Sequence, residues 1–145
     1  MEIFTIGFTR KSAERFFGTL KRAGIELVID IRRNNSSQLA GFAKRDDLAY
    51  FLRQLCRADY LHQPLLAPTQ ELLDRYRKGG ESWESYEGEF LDLMARRRVE
   101  ELIDPALFER RSALLCSEPT PERCHRRLVA EYLQQHWRDV EITHL

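Results

Sequence analysis

A single α/β domain, with one mostly parallel sheet of about five strands and helices on both of its faces, is the fold that this sequence predicts. Three observations carry the prediction. Short β-branched apolar runs alternate with segments of helical apolar spacing along the chain, the pattern of successive βαβ units. The run "ELVIDIR" at 26–32 is apolar almost without interruption, as a strand covered on both faces must be. The length, 145 residues, suits one domain with a sizeable core and not two. Residues 1–145 therefore read as one Rossmann-like three-layer sandwich.

The elements follow in order. "EIFTI" (2–6) is an apolar strand stopped by Gly7. "SAERFFGTLKRAG" (12–24) places Ala13, Phe16, Phe17 and Leu20 at helical spacing, with Ser12 as N-cap and Gly24 as the residue just past the C-terminus. "ELVIDIR" is the second strand, and the polar stretch 33–45 reads as a long loop. Asp46 or Asp47 opens a helix with Leu48, Phe51, Leu52 and Leu55 inward. "DYLHQP" (59–64) is a strand ended by Pro64. Two helices, 69–79 and 82–98, are separated by Gly79 and Gly80. "SALLCS" (112–117) is a strand, 120–137 a helix capped by Thr120 with Pro121 in its first turn, and "VEITHL" (140–145) the closing strand.

Lys plus Arg equals Asp plus Glu, 23 of each, which argues against charge-driven coating of nucleic acid but leaves room for a local basic patch. The start, "MEIFTIGFTRK", has no basic lead into a long apolar segment, and no run approaches the roughly 20 apolar residues of a membrane span. Three cysteines, an odd number, without secretory context suggest a reducing cytoplasm and free thiols or a metal site, not a disulfide framework. The pattern identifies no cofactor.

In open parallel sheets ligands bind beyond the carboxyl ends of the strands. Gly7, Asp30, Arg32, His62, Cys116 and Glu118 all fall at or just after such ends. The stretch "LLCSEPTPERCHRR" (114–127) is the densest in chemistry. The helix after it is apolar at Leu128, Val129, Tyr132 and Leu133. Cys124 and His125 stand four residues before Leu128 and Val129, so they share the packed face and lean back toward the strand end that carries Cys116. Arg126 flanks them, off the packed stripe.

Four readings compete for this corner. Cysteine is often buried as a small hydrophobe, which makes the corner structural. A helix start and a neighbouring histidine or arginine can instead create a nucleophilic thiolate. A phosphatase loop is excluded, because the position six after Cys116 is Glu122, and Pro119 and Pro121 stand where glycines would have to turn amides inward. Cys116, Cys124 and His125 are also zinc-type ligands, with His62 or Glu118 as a fourth, though their spacing matches no standard pattern. Finally, the helix start with Arg32 and Arg126, sent by the sheet to one crevice, could grip a phosphate or carboxylate. Asp30, interrupting a buried strand, is either the ion-pair partner of Arg32 or a general base or ligand.

"TIG" (5–7), "VIDIR" (28–32), "LAPTQELLDRYRKG" (66–79), "WESYEGEF" (83–90) and "LLCSEPTPERCHRRLVAEYL" (114–133), in that order, resemble the bacterial and archaeal family called domain of unknown function 488. The resemblance implies one compact α/β domain, and no reaction. It marks Asp30, Arg32, Cys116, Glu118, Cys124, His125 and Arg126 as the shared polar positions. The chain departs from the family pattern at Phe8, where histidine is common, and at Asn34 and Asn35, in a region where proline is common.

The functional expectation is a small enzyme or ligand-binding protein acting on a phosphate-bearing or other anionic substrate, such as a nucleotide or a nucleic-acid end. Arg32, Arg126, Gly7 and His62 would bind the ligand. His125 would be the acid–base, oriented by Asp30 or Glu118, and Cys116 or Cys124 the nucleophile. The alternative is a non-catalytic interaction or nucleic-acid-binding module with a structural Cys/His corner.

Overall fold

The computed structural model describes residues 1–36 and 40–145. Within the loop expected over 33–45, residues 37–39 lie outside the described residues. Five strands form one sheet in the order β3-β2-β4-β1-β5: β1 Glu2–Gly7, β2 Leu27–Asp30, β3 Asp59–His62, β4 Ser112–Cys116 and β5 Glu141–His144. Every pairing is parallel, with Gly7 opposite Cys116 and Asp30 opposite both Leu115 and His62. The fold is the expected parallel α/β sandwich.

Side-chain alternation along the strands sorts the core into two layers. Phe4, Ile6, Val28 and Leu115 pack against Phe16, Phe17 and Leu20 of α1 (Ala13–Arg22) and Leu48 of α2 (Arg45–Phe51). Ile3, Ile29, Ile31 and Leu114 pack on the other face against α4 (Trp83–Arg97) and α6 (His125–His136), with α3 (Gln70–Arg77) beside α4. A four-residue helix, α5 (Val99–Leu102), follows α4. Among the described residues no helix is long and apolar enough to cross a membrane.

The topology matters for the site. The chain leaves β1 and β2 toward α1 and α2 on one face, but leaves β4 toward α6 on the other. Strand β4 lies between β1 and β2, so connections diverge on both of its flanks, and two crevices open at its carboxyl end.

Two helices differ from expectation. In the second, Leu55 is exposed, because Leu52–Cys56 continues α2 as a wider π-type turn that rotates it off the inward stripe before Arg57 ends the helix at φ 53°. The last helix begins at His125, with Cys124 in the capping position, and not at Thr120. Thr120 bonds the Glu122 side chain, the Cys124 amide closes a turn on the Pro121 carbonyl, and residues 117–123 are neither helix nor strand. By contrast Ser12 caps α1, accepting from the Arg15 amide, and Gly24 has φ +68°, as its position past the helix end requires.

Candidate functional site

The end of β4 and the start of α6 bring Cys116, Cys124 and His125 together. One ligand atom from each lies within 4.8 Å of the others, and all three residues are buried. Cys56, half-buried elsewhere with its thiol on the Phe17 carbonyl, stands apart. Because α6 begins only at His125, Cys124 reaches the cluster from an extended capping residue (φ −136°).

The geometry around His125 is directional. Nε2 lies 2.8 Å from the carbonyl oxygen of Ile31. A carbonyl only accepts, so Nε2 carries a proton. Nδ1 then faces Cys116 Sγ at 3.4 Å. The Cys124 thiol and the Glu118 amide also face the Cys116 sulfur and favour its charged form. Burial alone would raise the Cys116 thiol. The Cys124 hydrogen bond, the charge of His125 and its hydrogen bond outweigh burial and hold Cys116 well below the ordinary thiol range. Burial likewise opposes charge on His125, and the Cys116 thiolate overcomes it, raising the imidazole above its usual value. Cys124 goes the other way: burial, then the hydrogen bond and charge of Cys116, keep it protonated. The shifts run in the direction of a thiolate–imidazolium pair at Cys116 and His125, with Cys124 as a protonated thiol against it.

On the β2 flank Asp30 and Arg32 close on each other. Arg32 Nε and Nη2 each donate to an Asp30 oxygen at 2.8 Å, and the Arg32 amide adds a third bond. The Tyr60 hydroxyl donates to Asp30 at 2.5 Å and accepts from Asn35; burial, then the Asp30 hydrogen bond and charge, push its phenol up. His62 Nε2 donates to the Arg32 carbonyl at 3.0 Å. Phe8 is buried with the Arg32 guanidinium 5.2 Å from its ring centre. The departure at Phe8 therefore puts a cation–π platform beneath Arg32, and that at Asn35 a hydrogen bond to Tyr60.

Between this group and the cluster lies a narrow crevice of about 50 Å³, lined by Arg32, Arg33, Asn34, Pro68, Leu73, Arg77, Ser117 and His125. Three of its lining residues are arginines and none is acidic.

Arg126 is not in that crevice. It reaches the opposite flank, toward β1, where Nη1 donates to the Glu118 carbonyl at 2.5 Å. A methyl group on Gly7 would stand 1.7 Å from that carbonyl oxygen and 2.2 Å from Nη1, so glycine is what lets loop and guanidinium close against the strand. Arg126 has no exposed surface, which corrects its placement off the packed stripe: Gly7 and the loop after β4 cover that side of the helix. The expectation of Arg32 and Arg126 in one crevice is likewise corrected, since β4 stands between them.

The orienting carboxylate expected for His125 is replaced by the Ile31 carbonyl. Asp30 is engaged with Arg32 and Tyr60, and Glu118, exposed, reaches the cluster through its backbone. Sequence reasoning missed Arg33, Arg77 and Ser117 in the crevice, and Lys11. Lys11 donates to the Gly7 carbonyl at 2.5 Å, and burial, then Arg126 and Arg15, lower its amine to about 8. Arg77, in the last turn of α3, looks in the sequence like an ordinary helix-end charge.

Fold and site together define an α/β domain with a buried thiol–imidazole centre at the carboxyl edge of a parallel sheet. The chain belongs to the DUF488 family: the family model, described as a domain of unknown function, matches residues 12–133, bearing out the resemblance read from the motifs. No curated protein and no solved structure matches the chain.

Proposed function

We infer that this protein is an enzyme that uses Cys116 as a thiolate nucleophile on a small anionic, phosphate-bearing substrate. The observation that carries the reading is the linked set Cys116 Sγ, His125 Nδ1 at 3.4 Å and, behind the other ring nitrogen, the Ile31 carbonyl at 2.8 Å. Nucleophile, base and a third group orienting the base is the arrangement that activates a side-chain nucleophile.

Arg33 and Arg77 would hold the anionic group in the crevice, which has room for one phosphoryl or carboxylate group with the rest of the molecule outside. Arg32 adds shape more than charge there, because Asp30 neutralises it. Ser117 and His125 line the crevice, the first joined to Cys116 in the chain and the second bonded to its sulfur. Cys116 would attack the electrophilic centre, and the His125 imidazolium would return its Nδ1 proton to the leaving group.

Alkylation tests this. Iodoacetamide at pH 6 should modify Cys116 about tenfold or more faster than Cys56, because an ordinary thiol is almost wholly protonated there and burial raises that of Cys56 further. His125→Ala should abolish the advantage. Inorganic phosphate should slow the reaction in wild type and less so in Arg77→Met. A Cys116 that reacts only at alkaline pH, or reacts regardless of phosphate, rejects the reading.

A zinc ion is the second reading, favoured by the three ligand atoms within 4.8 Å and by a histidine whose far nitrogen is anchored to a carbonyl. Protein purified without chelator would then carry about one zinc per chain, and its removal would lower the melting temperature.

A further inference from the structure

The reaction just described leaves Cys124 idle, although its sulfur and that of Cys116 lie within 4.8 Å of each other. The pair is joined through residues 117–123, which are neither helix nor strand. Cys124 itself is the extended capping residue of α6, so its side chain can rotate while its carbonyl keeps the bond it accepts from the Arg127 amide. A disulfide needs sulfurs about 2.05 Å apart and β-carbons about 3.8 Å apart. From the present separation that takes a rotamer change and a small loop movement. The crevice ending at His125 holds about 50 Å³, which admits a reactant of a few atoms more easily than a bulky disulfide.

We propose that Cys116 and Cys124 form a redox-active dithiol that reduces a small hydroperoxide and closes as a Cys116–Cys124 disulfide. This rests on the reading of Cys116 as a thiolate nucleophile. The Cys116 sulfur attacks the terminal peroxide oxygen; the S–O bond forms as the O–O bond breaks. The departing oxygen takes a proton from His125 and leaves as water or an alcohol, and Cys116 becomes a sulfenic acid. The Cys124 sulfur then attacks the Cys116 sulfur. The S–O bond breaks, hydroxide takes the Cys124 proton and leaves as water, and the disulfide is made. Two electrons pass from the two thiols to the peroxide, and a dithiol reductant returns them in the next turn.

The test uses the full chain and hydrogen peroxide. An equimolar amount added to reduced protein should lower the intact mass by that of two hydrogen atoms, and dithiothreitol should restore it. Trypsin cleaves after Arg123, between the two cysteines, so the bond appears as a linked peptide pair in wild type without recourse to any variant. Cys124→Ser should halt at a sulfenic acid on Cys116 that dimedone traps, and Cys116→Ser should show no mass loss. A Cys116 that is alkylated at pH 6 but with peroxide yields no linked peptides, or only sulfinic acid, overturns the dithiol while sparing the nucleophile. A Cys116 inert to both reagents overturns the nucleophile reading itself, and with it this one. A bound zinc that keeps both thiols unreactive does the same.

Discussion

Two buried arginines flank β4, and they are held in opposite ways. On the β2 side Arg32 meets a carboxylate from its own strand end, in two bonds of 2.8 Å. On the β1 side Arg126, equally buried, donates to a backbone carbonyl, and among the described residues its Nε and Nη2 meet no partner, against Nη1 alone for Arg32. Its charged neighbours sharpen the contrast. Lys11 repels it, burial and the Arg126 charge lower the His144 imidazole, and of the acidic groups that feel it Glu122 is exposed and Cys124 is a thiol that burial keeps protonated. The same side chain is thus paired with a carboxylate on one flank and, among the described residues, with none on the other. Burial does not tell which arginine is structural; the nearest carboxylate does.

The largest effect should come from Asp30. Asp30→Asn leaves the Arg32 charge buried and unpaired and should cost about 3–5 kcal/mol in denaturant unfolding. A loss under about 1 kcal/mol, the scale of an exposed pair, would show that the two flanks do not differ in kind.

Gly7→Ala should come next. Its new methyl must displace the Glu118 carbonyl and the Arg126 guanidinium, at about 1–3 kcal/mol for overpacking. If melting is unchanged, loop and strand are not as close as the geometry places them.

Arg126→Met should change stability little. It gives up one hydrogen bond worth about 1 kcal/mol and relieves a buried charge without a counter-ion, so wild type and variant should agree within about that amount. A loss matching Asp30→Asn would mean that Arg126 too is paired, which removes the comparison.

The smallest effect is in pH dependence. The folded Lys11 amine sits at about 8, against 10.5 ordinarily. Between those values the unfolded chain binds more protons, so stability from this group rises with pH across the window and is absent below it. Wild type should therefore gain on Lys11→Met as pH rises from 8 to 10. The gain should shrink when Arg126→Met is added to both, because Arg126 contributes to the lowering. Parallel pH curves for wild type and Lys11→Met would count against the uncompensated charge.

Much of the site was legible in the sequence because it depends on local periodicity. Cys124 and His125 precede Leu128 and Val129 by four residues, and one turn of helix puts them on the same inward face. Cys116 ends an apolar run, so the chain turns there. The burial of Arg126 was not legible. It depends on Gly7, more than a hundred positions earlier, having no side chain, and on a loop whose course Thr120 and Pro121 misstated as helix. The arginine crevice was hidden for a similar reason: Arg77 reaches it only because α3 docks beside α4.

The sequence by itself determined the alternation of strands and helices, their inward faces and the family, since each rests on side chains within a few positions of one another. It also brought Asp30 and Arg32 together, two residues apart on one side of a strand. Only the tertiary structure decided which charges are balanced. Strand β4, late in the chain, inserts between β1 and β2, and its position sends Arg32 to a flank with a carboxylate and Arg126 to a flank without one. It likewise decided that His125 is oriented by the Ile31 carbonyl. Every residue has such a carbonyl, so no residue type in the sequence could mark it, and long-range packing alone selects which one the ring meets.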